Sequence, residues 1–224
     1  EYGSVTQGVH NYVLVERLGQ ALGEGDILVP GSSGACSEVT CQALQVQTGL
    51  RCLNTQGLGA MGFGLPAALG ACLASGGGRT VCIDGDGGFA MNNQELATVL
   101  RLNLPIKFFV LNNGGYSSIR ATQINYFESR FVACDSSSGL TLPDLKKVAE
   151  SSGIAYLRIS THLELNENLK EILEMAGPII CDVIMAPGQF TQPKVSSKQQ
   201  GNGRMVTMPM EDLWPFLERE ELEE

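Results

Sequence analysis

Two apolar segments, Thr80-Val81-Cys82-Ile83 and Ile106-Lys107-Phe108-Phe109-Val110-Leu111, each run straight into a short polar tip. The first is followed by Gly85-Asp86-Gly87-Gly88 and the second by Asn112-Asn113. Between them, Phe89 to Asn103 predicts a helix whose apolar face is Ala90, Leu96, Ala97, Val99, Leu100 and Leu102. A strand–helix–strand unit returns both strand tips to the same edge of a parallel sheet, where open α/β sheets bind ligands. One carboxylate and one or two amide oxygens therefore meet beside glycines that let a backbone approach closely. Such hard oxygen donors suit Mg²⁺ or Ca²⁺, and these ions commonly bridge to a phosphorylated ligand.

The same alternation extends along the chain. Helices are expected at Val9–Leu22, Gly34–Gln47, Gly62–Ala74, Leu142–Ser152 and His162–Met175. Strands are expected at Ile27–Val29, Arg51–Asn54, Tyr156–Ile159 and Ile179–Met185. This order predicts an α/β fold, a parallel sheet of about six strands with helices on both faces. Ser136-Ser137-Ser138-Gly139 reads as a turn. From Ala186 onward Pro, Gly, Ser and Gln take over, so residues 1–186 form the expected domain and 187–224 an irregular tail with an acidic, helix-like end at Glu218–Glu224.

A chain of 224 residues is long enough for one sizeable core. Its net charge of −9 argues against nucleic acid or an anionic membrane as partner. No apolar run reaches the roughly 18–20 residues that span a bilayer. The seven cysteines show no C-x-x-C pair or Cys/His cluster; their odd count and apolar settings predict buried thiols in a reducing cytoplasm. The sequence starts at Glu1, as expected for a piece of a longer protein.

With Gly57-Leu58-Gly59-Ala60-Met61-Gly62, Asn112-Asn113-Gly114-Gly115-Tyr116 and the tail around Gln192-Pro193-Lys194-Val195 and Trp214-Pro215-Phe216-Leu217, the chain resembles the pyrophosphate-binding domain of thiamine-diphosphate enzymes, specifically the acetolactate synthase-like family. The resemblance runs from about Val9 to Leu217. It implies thiamine diphosphate and Mg²⁺ as cofactors, with Asp86, Asn113 and the Gly115 carbonyl as metal ligands. Gly85, Gly87 and Gly88 would meet the diphosphate, and the Gly59 carbonyl would accept a hydrogen bond from the cofactor's amino group. Met61 would hold the cofactor bent into a V, the one catalytic role the resemblance assigns within this chain. Gly31-Ser32-Ser33-Gly34, at a strand end, offers Ser32 and Ser33 either to phosphate oxygens or to an ordinary helix cap.

The implied activity is decarboxylation or carboligation of a small-molecule 2-oxoacid, in a homo-oligomer (dimer or tetramer). The glutamate that activates the cofactor belongs in this family to a separate pyrimidine-binding domain, in the same or another subunit, and none of this chain's glutamates matches it. Relatives that form acetolactate place Trp after a comparable Thr-Gln pair; here Thr122-Gln123 precedes Ile124, which leaves the acceptor substrate open. Arg120 and Gln123 read equally as substrate contacts or as a solvated helix face. The tail would cover the site or a partner domain.

Two readings compete with this one. Gly57-x-Gly59-x-x-Gly62, with Asp84 further on, fits a dinucleotide fingerprint, but polar Asn54-Thr55-Gln56 separates it from the preceding strand and a nicotinamide leaves Asp86 and Asn113 unexplained. A non-catalytic subunit that kept the fold is the other alternative. Asn92-Asn93 falls inside the expected helix and is not a ligand, and His10 and His162 stand isolated at expected helix starts.

Overall fold

The computed structural model describes residues 2, 5–55, 57–189, 191–201, 203–218 and 220–221. It divides into two compact units, Glu1–Gln189 and Phe190–Glu224. In the first, β1 (Ile27–Pro30), β2 (Arg51–Cys52), β3 (Thr80–Gly85), β4 (Ile106–Asn112), β5 (Ala155–Ile159) and β6 (Ile179–Ile184) form one sheet in the order β2-β1-β3-β4-β6-β5. Every neighbouring pair is parallel.

Period-two alternation sends side chains to two cores. Val81, Ile83, Phe109, Leu111, Cys181 and Val183 pack on one face against α1 (Asn11–Ala21) and α8 (His162–Glu174). A π-helical turn (Gly34–Glu38) leading into α2 (Val39–Ala43) shares that face. Cys82, Ile106, Phe108, Val110 and Ile180 face the other way, against α3 (Gly64–Ala74), α4 (Asp86–Met91), α5 (Leu96–Arg101) and α7 (Leu145–Ser152). Phe89 and Phe108 meet edge to face at 5.5 Å across this second core. Strands buried on both faces explain the continuous apolar runs in the sequence.

The strand order locates the site. From β1 the chain continues to β2 on one side, whereas from β3 it continues to β4 on the other. Such a reversal opens a crevice outside the carboxyl ends of the two strands. Here those ends are Pro30-Gly31-Ser32-Ser33 and Asp84-Gly85-Asp86.

Several expected elements differ in detail. The helix expected from Phe89 to Asn103 is three pieces: α4, a 3-10 turn at Asn93–Glu95, and α5. Asn92 interrupts it with φ −131° and ψ 28°, away from helical geometry. The helix expected at Gly34–Gln47 ends at Ala43, and the strand expected to reach Asn54 ends at Cys52. Helix α7 starts at Leu145 because the Asp144 carboxylate caps it, accepting from the Lys147 N–H at 3.1 Å. Ser136–Ser138 is a 3-10 turn capped by Asp135. His10 and His162 are not isolated: the His10 backbone N–H donates to His162 Nε2 at 2.9 Å, joining the starts of α1 and α8.

The region after β4 is exposed: α6 (Ser117–Tyr126) has no buried residue, and Ile119, Ile124, Tyr126, Phe127, Phe131 and Val132 are exposed along it and the loop that follows. In the second unit, β7 (Ser197–Gln199) pairs antiparallel with β8 (Met205–Thr207). Lys194 and Trp214 exchange backbone hydrogen bonds at 3.0 and 2.8 Å. Most of the acidic run Glu218–Glu224 lies outside the described residues.

Candidate cofactor and metal site

Asp86 ties the two central strand tips together. Its Oδ2 accepts the N–H groups of Gly114 at 2.9 Å and Gly115 at 3.1 Å, and its Oδ1 accepts that of Gly87 at 2.8 Å. The residue is buried, and burial pushes its carboxyl up to about 6 against the pull of those N–H donors. These N–H donors hold the carboxylate at the point where the two strand tips meet. Asp86 thus anchors the backbone where β3 and β4 end.

Asn113 supplies the second oxygen. Its Oδ1 is buried and has no hydrogen-bond partner among the described residues. A buried amide oxygen left in this way costs about 1–3 kcal/mol unless something else satisfies it. Its neighbour Asn112 points to the opposite face, where its Nδ2 donates to Asp182 Oδ1 at 2.8 Å. Asp182 is fully buried and also accepts from the Tyr156 hydroxyl at 2.7 Å and from Arg158 at 2.9 Å. Gly115 has φ 152°, and a Cβ there would strike the Cys134 carbonyl. No group of three His, Cys, Asp or Glu side chains that could hold a metal exists among the described residues. A divalent ion at this edge thus fits a mixed set of carboxylate, amide and carbonyl oxygens, the donor chemistry of Mg²⁺.

Around the tips, glycines serve close packing. A Cβ on Gly87 would enter the Tyr116 ring, and a Cβ on Gly31, Gly64 or Gly88 would strike the Asp84 carboxyl, at 2.5 Å for the last two. Asp84 is buried, its Oδ2 has no partner among the described residues, and burial lifts it to about 7. In the sequence Asp84 stood out only as part of the dinucleotide fingerprint. Its actual surroundings join Gly88, four residues on, to Gly31 and Gly64 from distant parts of the sequence, which leaves little local signal. Gly85 lies in contact-free space for a Cβ.

The remaining expected residues lie as follows. Ser32 and Ser33 are half-buried at the end of β1, and the Ser33 hydroxyl donates to Cys36 Sγ at 3.1 Å. Gly59, with φ +59°, brings its loop to within 3.9 Å of the Ser32 carbonyl, measured from an added Cβ. Met61 is 42% exposed. The loop from residue 53 to 63 contains no strand or helix among its described residues, so these glycines do not form the tight strand-to-helix turn of a dinucleotide site. Arg120 pairs with Asp135 at 3.3 Å, and the Gln123 amide exchanges two hydrogen bonds with the Val132 backbone at 3.0 and 3.1 Å. Both side chains fold the following loop onto α6.

A crevice at the strand-order reversal, lined by carboxylate, amide and glycine backbone, defines a protein that binds a metal-bridged phosphorylated cofactor. Residues 32–183 match the family described as thiamine pyrophosphate enzyme, C-terminal TPP binding domain, and the chain belongs to that family. Among similar proteins, the acetolactate synthase large subunit of Cyanidium caldarium is 36% identical over 155 residues, 69% of this chain and 26% of that protein. Acetolactate synthase 2, chloroplastic, of Zea mays is 37% identical over 65% of this chain and 23% of the relative. Acetolactate synthase, mitochondrial, of Schizosaccharomyces pombe is 37% identical over 64% of this chain and 21% of the relative. The matched part of this chain thus corresponds to about a quarter of these proteins.

No helix among the described residues is long and apolar enough to cross a membrane. No disulfide joins the cysteines: Cys36, Cys72, Cys82, Cys134 and Cys181 are buried, whereas Cys41 and Cys52 are exposed.

Proposed function

We propose that this chain is the Mg²⁺–thiamine-diphosphate-holding domain of an acetolactate synthase-like 2-oxoacid decarboxylase or carboligase. The observation that carries the metal site is the buried, unpartnered Asn113 Oδ1 beside the Asp86 carboxylate at the strand-order reversal. Asp86, Asn113 and the Gly115 carbonyl would hold the ion. Gly85, Gly88 and the half-buried Ser32 and Ser33 would line the diphosphate; the Gly87 N–H is already donated to Asp86, so Gly87 contributes room rather than a donor. Gly59 and the exposed Met61 would face the cofactor's rings.

When bound, the cofactor supplies an electron sink for breaking the bond to a 2-oxoacid's carboxylate. The chain's own residues fix the charge and position of its diphosphate end. The groups that start the chemistry would come from a pyrimidine-binding domain, in a homo-oligomer of two or four subunits. The five buried thiols favour a reducing compartment, such as the cytoplasm. In this reading residues 1–186 would carry the site and 187–224 would form a separate tail.

Equilibrium titration of the chain with thiamine diphosphate, with and without Mg²⁺, tests this. Binding should require Mg²⁺ and vanish in Asp86→Ala. Absence of binding, accompanied by binding of NAD, would sink the reading. A non-catalytic subunit that kept only the fold would bind neither. Release of CO₂ from a 2-oxoacid by the chain alone would overturn the need for a pyrimidine domain.

A further inference from the structure

Asn92 is not a metal ligand, but it does not merely fill a helix. It stops α4 after six residues and turns its amide back across the core edge. Its Nδ2 donates to the Gly62 carbonyl at 2.8 Å, and its Oδ1 accepts from Gln94 Nε2 at 3.2 Å. Gly62 has φ +83°, and a Cβ there would fall 2.7 Å from Asn92 Nδ2 and 3.1 Å from Met91 Cβ. The loop that carries Gly59 and Met61 is therefore seated directly on the end of α4. Phe63 donates to the Ala60 carbonyl at 3.3 Å and Gly59 to the Thr55 carbonyl at 2.9 Å, both within the loop itself. Met61 is 42% exposed.

We propose that Asn92 is a positioning residue for the ring end of the cofactor: its side-chain N–H donor holds the Gly59–Gly62 loop so that Met61 stands at a fixed height over α4. Helix α4 opens with Asp86, so one short rigid element sets both the diphosphate end and the ring end of the site. A rigid supporting group beneath a flexible contact residue is what keeps such a site in its productive geometry. The inference rests on reading Gly59 and Met61 as ring contacts, and its test separates the two ends of the ligand.

The full chain is titrated calorimetrically in Mg²⁺ with thiamine diphosphate and, separately, with inorganic pyrophosphate, which has no rings. Loss of one hydrogen-bonded support should weaken thiamine-diphosphate binding about three- to tenfold in Asn92→Ala, with pyrophosphate binding unchanged. Asn92→Asp keeps the shape but cannot donate, and should behave like Asn92→Ala. Asn92 is only half-buried, so both variants should melt close to the parent. The proposal is overturned if both variants bind thiamine diphosphate like the parent, if only Asn92→Ala is impaired, or if both ligands weaken together. Should the parent chain bind neither ligand, the cofactor reading itself fails and this inference falls with it; should it bind pyrophosphate but not thiamine diphosphate, the ring contacts alone are refuted.

Discussion

The two ends of the same sheet bury charge in opposite ways. At the amino-terminal edge, Asp26 receives Arg79 through Nε at 2.7 Å and a second nitrogen at 2.6 Å, and the Gly23 N–H at 2.9 Å. Lys107, fully buried on β4, donates to the carbonyls of Met175 and Gly177 just past the end of α8. At the carboxyl edge, Asp84 Oδ2 and Asn113 Oδ1 have no partner among the described residues, and burial holds the Asp84 and Asp86 carboxyls at about 7 and 6. Burial alone therefore does not mark function. What separates the edges is whether the buried polar groups are satisfied from within the chain, because each one left unmet is a standing cost that a bound ligand can offset.

That contrast can be broken most forcefully at the satisfied edge. Arg79→Ala strands the buried Asp26 carboxylate and should cost about 2–4 kcal/mol, discounted for the part-exposed arginine, in denaturant melts. Thiamine-diphosphate affinity should stay as in the parent; a matching loss of affinity would erase the distinction between edges. Next, Gly31→Ala drives a methyl into the Asp84 carboxyl and should cost about 1–3 kcal/mol by the same measurement. At the carboxyl edge, Asn113→Ala removes an unmet oxygen. Its melting temperature should hold or rise, while Mg²⁺-dependent cofactor binding weakens by about tenfold or more. A drop in both would show that Asn113 is structural.

The smallest effect near neutral pH is a pH dependence set by thiols in both cores and by Lys107 at the amino-terminal edge. Burial raises the Cys36, Cys82 and Cys181 thiols, whereas in the unfolded chain they titrate near ~8.5. Their stabilising contribution is whole below that pH and declines as pH rises, since the unfolded chain then loses protons that the folded one keeps. Lys107 opposes this: burial lowers it to about 8, so stability from that group climbs between there and ~10.4. Three thiols against one amine give a net fall. Melting temperature should decline above pH ~9, less steeply in Cys181→Ala after correction for its own neutral-pH change.

The strands and their polar tips were legible because the cues are local. Continuous apolar runs ending in Gly-Asp-Gly and Asn-Asn mark β3 and β4 without reference to anything else. Helix existence was equally readable, but helix endings were not. Asn92 breaks a well-patterned helix for the sake of a carbonyl on Gly62, and His162 meets the backbone of His10 at the start of another helix. Neither contact leaves any periodicity. The Arg120 and Gln123 side chains likewise face their own following loop, a choice that composition cannot disclose. Asp182, which fixes Asn112 and so lets Asn113 turn the other way, is one more apolar-strand interruption until its three partners are seen.

The crowding of Gly31, Gly64 and Gly88 around Asp84 has an evolutionary consequence. These four positions are sterically coupled and should be inherited as one unit. A larger residue at any of the glycines becomes tolerable chiefly in a lineage that has already shortened position 84, and a shortened position 84 relaxes selection on three glycines at once. Descendants of this chain should therefore lose or keep the set together, and a library that varies these sites one at a time will discard combinations that are viable in company.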